Sequence, residues 1–150
     1  MPHRKKRKIA ALSHPFQRQL ALPHEGRFFD LRLIFDDLNA RYFGSSLTGF
    51  RILWGRRRKL KPIAYFVFGT IQEEDKIIRI HPSLDASFVP FWFIEYVIYH
   101  EMLHAVVPDE TFPSGRRKVH TQEFLRREKL FPQYRKARKW EAENLCRLLR

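Results

Sequence analysis

Cysteine is nearly missing from this chain. Cys146 stands alone, so no intrachain disulfide can form and no cysteine zinc ribbon exists. A reducing compartment suits such a chain. Long apolar runs are missing too: the longest, residues 88–99, carries Glu95 and falls far short of the roughly 20 residues that cross a bilayer. Behind a basic start (RKKRK, Arg4 to Lys8), His14, Pro15, Gln17, Arg18 and Gln19 break up anything that could serve as the apolar core of a signal peptide. The expectation is a soluble, intracellular, cytoplasmic protein with no membrane partner. Acidic charge is also scarce, with 16 Asp and Glu against 29 Lys and Arg and a formal net charge of +13. A field of that sign attracts nucleic acid or acidic proteins, which extends the expected location to the nucleoid, but it says nothing about fold. No internal repeat is visible, and no low-complexity tract beyond the basic start.

What remains is enough for one domain. In 150 residues, 44% are hydrophobic and 15% aromatic, which supplies a real core and argues against wholesale disorder. Residues 1–25 are basic and hold Pro2, Pro15 and Pro23 without a sustained period, so they read as a flexible tail before a domain at 26–150. From Arg27 the spacing of Phe28, Leu31, Phe35, Leu38 and Tyr42 predicts a helix that Gly44 ends. The period then drops to two. Phe50, Ile52 and Trp54 mark a first strand and residues 63–71 a second. A short polar turn leads to a third at residues 76–80, paired with the second as a hairpin. A helix begins near Pro90 and is apolar nearly all round, hence buried. After a loop punctuated by Pro108, Pro113 and Gly115, two more helices follow over 121–129 and 132–150. The class is α+β: an N-terminal helix, a small antiparallel three-stranded sheet, a buried central helix and C-terminal helices.

The chemistry lies in that buried helix. His100-Glu101-Met102-Leu103-His104 is an H-E-x-x-H run. Residues four apart on a helix stand one above the other, so both imidazoles can reach one ion at about 2.0–2.1 Å. Glu101 is turned about 100° from His100 and about 60° from His104. It stands near the metal without having to ligate it, as the general base for an attacking water should. Two histidines and a glutamate in an apolar helix also need partners, and a metal supplies them. Zinc at a catalytic site takes three protein ligands and keeps a fourth position open. Val107 and Glu110 stand where a metzincin needs Gly and His. The candidates for the third ligand are His120, just before the helix cap Thr121, and its rivals Asp109, Glu110 and Glu123.

The runs WGRR (54–57), IRIHPSLD (78–85), VP (89–90), YHEMLHA (99–105) and HTQEF (120–124) together resemble the SprT-like zinc metallopeptidase family. The likeness is to its bacterial single-domain members and, more distantly, to the protease domain of Spartan. It spans residues 28–145. It implies a zincin-like domain of minimal gluzincin type, zinc on His100, His104 and His120, Glu101 as base, and a protein or peptide substrate, with DNA-associated proteins as one class. Tyr65, Tyr99 and Tyr134 are candidates for steadying the oxyanion. Two other readings compete: a nucleic-acid-binding protein with a structural zinc, and a zinc-dependent nuclease. Under any of the three readings, Arg56, Arg57, Arg58, Arg116, Arg117 and Lys118 are the candidate contacts to non-specific DNA or RNA. Oligomeric state is not legible.

Overall fold

The computed structural model describes residues 23–57 and 68–149. The expected tail at 1–22 and the start of the expected second strand lie outside them. Residues 23–25, assigned from sequence to the tail, are hydrogen-bonded to the domain. The Pro23 carbonyl accepts the Trp54 N–H at 2.9 Å, and Glu25 bridges Asp30.

Helix α1 (Leu31–Phe43) starts four residues later than its hydrophobic spacing suggests. Asp30 caps it, its carboxylate accepting the N–H groups of Arg32 and Leu33. The preceding N–H groups are claimed by another element. The Asp85 carboxylate accepts those of Arg27, Phe28 and Phe29 at 2.6, 2.8 and 3.3 Å. Phe28 therefore leaves the helix and is exposed. The last residue of IRIHPSLD is thus a clamp on the chain's entry to the domain. His81 in the same run caps a short 3-10 turn (Pro82–Leu84) by accepting the Ser83 N–H. Gly44 ends α1 in the left-handed region, at φ 57°.

Strands β1 (Arg51–Trp54), β2 (Gly69–Gln72) and β3 (Ile77–Ile80) form one sheet in the order β1-β3-β2. The expected hairpin is present: β2 runs antiparallel to β3, Gly69 opposite Ile80 and Gln72 opposite Ile77. The expected all-antiparallel sheet is not. β1 pairs parallel with β3, Arg51 opposite Ile77 and Trp54 opposite Ile80. Parallel neighbours need a long crossover between them, and everything from Gly55 to Lys76, including β2 itself, separates these two. β3, inserted between them, carries the fully buried Ile78 and Ile80.

Helix α2 (Phe91–His104) packs against β2 of this sheet. Pro90 precedes its first turn, and Phe93, Ile94, Ile98 and Met102 are fully buried on different sides of it. An apolar helix of this kind has to be enclosed, and α1, β2, α3 (Gln122–Glu128) and α4 (Tyr134–Leu148) enclose it. Among the described residues, no helix is long and apolar enough to cross a membrane.

Candidate metal centre

α2 ends at His104, so its last turn delivers His100 and His104 to the mouth of a cleft of about 800 Å³. The stretch from Ala105 to Val119, expected to be loop, contains a small antiparallel hairpin of β4 (Glu110–Thr111) and β5 (Arg117–Lys118). It turns at Gly115, whose φ of +80° lies in the left-handed region. The hairpin sends the chain back to α2, and Thr121 caps α3 by accepting the Phe124 N–H at 3.2 Å. His120, one residue before that cap, arrives beside the other two histidines.

The three imidazoles form a nearly equilateral triangle. Their ring centroids are 5.1 Å apart for His100–His104, 5.1 Å for His100–His120 and 5.0 Å for His104–His120. Nε2 of His100 and Nε2 of His120 stand 3.2 Å apart. Two nitrogens bound at 2.0–2.1 Å to one tetrahedral ion lie about 3.3–3.4 Å apart, so this spacing fits a shared metal. Among the described residues no fourth His, Cys, Asp or Glu joins the cluster. Three nitrogen donors facing a cleft are the donor set of an open site. Fully buried Phe124 lies against all three rings, 4.4 Å from His104 and 4.8 and 5.0 Å from His120 and His100.

Ring chemistry supports the same assignment. Nδ1 of His100 donates to Oε1 of Glu128 at 2.7 Å, and that oxygen also accepts the Tyr96 hydroxyl at 2.7 Å. A neutral imidazole with its proton on Nδ1 presents a lone pair at Nε2, the side facing His120. Burial alone would raise the Glu128 carboxyl, but the hydrogen bonds from His100 and Tyr96 carry it below its usual range. Burial, with Glu128 beside it, pushes the Tyr96 phenol up, so it stays a donor. Burial and the neighbouring His100 and His120 lower His104 to about 4, and burial and His100 lower His120. Both are then neutral at pH 7, the state in which imidazole binds a metal.

Glu101 is 6% exposed, lines the cleft, and accepts no hydrogen bond among the described residues. Burial raises its carboxyl to about 7, with His100 pulling the other way.

None of the rival ligands joins the triangle, although Asp109 lines the same cleft. Glu123 is held by Arg126 and Arg127, whose hydrogen bonds lower it to about 2. Asp109 is ion-paired with Arg117 across the hairpin, and Glu110 is exposed on β4. Of the three tyrosines, Tyr99 donates to the Arg127 carbonyl at 3.0 Å and Tyr65 lies outside the described residues. Tyr134 lines the cleft. The candidate basic contacts sit on two different parts of the fold. Arg56 and Arg57 are exposed beyond β1, Arg58 lies outside the described residues, and Arg116, Arg117 and Lys118 are exposed on the hairpin.

Glu128, Tyr96 and Phe124 are parts that motif reading did not assign. Glu128 left one signal: it falls four residues after Phe124, on the inner face of α3, where an acid needs a partner. Glu128→Gln is expected to weaken metal binding by about 10–100-fold, since partners of this kind orient and charge the ligand. A competition titration against a chelator reads this directly, and unchanged affinity would show that the His100–Glu128 bond does not act on the metal.

No family model, curated protein or solved structure matches the chain in comparison.

Proposed function

We propose that the chain is a zinc-dependent peptidase of the SprT-like kind, built on a zincin-like domain. The observation that carries this reading is the pairing of a three-imidazole triangle with a buried, unligated carboxylate, Glu101, beside it in one cleft. A structural zinc closes its fourth position and needs no base. Zinc held on His100, His104 and His120 would supply Lewis acidity, acidifying a water and polarising a carbonyl.

The protein's own residues do the rest. Glu101 takes the proton of the attacking water on its carboxylate and returns it to the leaving nitrogen. Tyr134 is the candidate donor to the oxyanion. β2, an edge strand among the described residues, lines the cleft with Gly69, Thr70 and Ile71, so an extended peptide has a backbone to pair with.

The nuclease reading has less support. The two arginines lining the cleft are each paired, Arg117 with Asp109 and Arg138 with Glu141, so a phosphate chain meets no unpaired arginine there among the described residues. Nucleic acid would instead be met outside the cleft by Arg116 and Lys118 on the hairpin and by Arg56 and Arg57. Digestion of a peptide library and of labelled DNA and RNA, with and without chelator, tests the assignment. Peptide cleavage abolished by chelation and restored by zinc is expected. Nucleic-acid cleavage alone would replace the reading with the nuclease.

A further inference from the structure

β2 opens at Gly69, and Gly69 faces Glu101. A Cβ built on Gly69 would stand 2.6 Å from Cγ of Glu101, 2.7 Å from its Oε1 and 2.8 Å from its Cδ. Carbon atoms in contact sit about 3.5–4.0 Å apart, so the Glu101 side chain occupies the space that any other residue at 69 would fill. The backbone of Gly69 is not in the left-handed region; the need for glycine is one of room.

Gly69 is itself held in place. It is registered against Ile80 on the buried central strand, and Phe68 beside it packs edge-on against Phe93, two turns earlier on the helix that carries Glu101. Among the described residues no hydrogen bond holds the Glu101 carboxylate, and on the β2 side its room is set by the missing side chain of Gly69.

We infer that Gly69 is a positioning residue for Glu101: the edge strand offered to an extended substrate also fixes where the base stands. One strand then registers both the scissile carbonyl and the group that activates its attacker. The catalytic half of this rests on the peptidase reading, whereas the steric half rests on the contact alone.

The test is a pair of double-mutant cycles on the zinc-loaded chain. Gly69→Ala is expected to keep its zinc and a near-normal KM while kcat falls by about 10–100-fold, the effect of a displacement near 1 Å at a reacting group. In the Glu101→Gln background the same substitution should cost no further activity, because the base it displaces is already disabled. The second cycle reads the unfolding midpoint. Gly69→Ala should lower it in the native background and leave it unchanged in Glu101→Ala, which lacks all three colliding atoms. Should Gly69→Ala alone not fold, the double variant with Glu101→Ala is still expected to. Additive midpoints, a double variant that does not fold, or a wild-type kcat in Gly69→Ala would each overturn the inference. Absence of any wild-type cleavage would refute the peptidase reading, and the midpoint cycle would still decide the contact.

Discussion

Glu101→Gln is expected to keep its metal and lose at least a hundredfold in turnover. Glutamine has nearly the shape of glutamate and still accepts a hydrogen bond, but it cannot take a proton from water at neutral pH. Positioned acid–base catalysis contributes on the order of 10²–10⁴-fold, and that range bounds the loss. Glu101 is not among the three converging side chains, so zinc content measured on the same preparation should stay at one per chain. Wild-type cleavage by the zinc-loaded variant would remove Glu101 from the mechanism. The substitution carries a second signature, in stability. In the metal-free protein, burial raises the Glu101 carboxyl from 4.5 to about 7. A carboxyl held higher in the folded than in the unfolded chain favours folding below its unfolded value, and that advantage disappears as pH rises through the folded one. Above about pH 7 the buried charge costs up to roughly 3 kcal/mol. Glutamine does not titrate, so metal-free Glu101→Gln should gain on the wild type from pH 4.5 to 7 and hold a constant lead above that. Denaturant unfolding at pH 4, 6 and 8 reads the difference; a gap independent of pH would show that the carboxyl is not buried in this way.

His120→Ala is expected to lose the metal as fully as His100→Ala or His104→Ala. Loss of a partner behind the ligands weakens affinity by about 10–100-fold, and loss of one of three ligands should exceed that. The comparison that gives this weight is with the rival acids. Glu123→Ala should keep full metal, because its carboxylate is spent on Arg126 and Arg127 at 2.8 and 2.6 Å. Asp109→Ala should keep it too, since that side chain answers Arg117. Elemental analysis of the set decides the matter. Full zinc in His120→Ala, or an empty site in Glu123→Ala, would transfer the third position to a carboxylate.

Much of the site and some of the fold could be read from local spacing. His100 and His104 share a face because four residues make just over a helical turn, and their rings do stand 5.1 Å apart. Thr121 announced the start of α3, Gly44 the end of α1, and the polar turn between β2 and β3 their hairpin. In each case the interaction closes within a few residues, so its geometry follows from backbone chemistry that the residue types already specify. Local spacing misleads where one element answers to another. Phe28 has helical spacing, yet Asp85 takes the N–H groups of 27–29 and holds the segment out of the helix. β1 precedes β2 in order, yet β3 lies between them and makes β1 a parallel neighbour.

By itself, then, the sequence determined an α+β domain with a buried helix carrying two histidines and a glutamate in metal-site spacing, because period, caps and turns are local properties. Only the tertiary structure brought His120, which the family resemblance implied, to the other two histidines and left the rival acids out of the triangle; it alone decided that Glu128 sets the His100 tautomer and that Gly69 must lack a side chain for Glu101 to lie where it does. Those contacts span 20, 28 and 32 residues of chain. They exist because helices and strands pack through their side chains at close-packed density, and no spacing along the chain encodes which surfaces will meet.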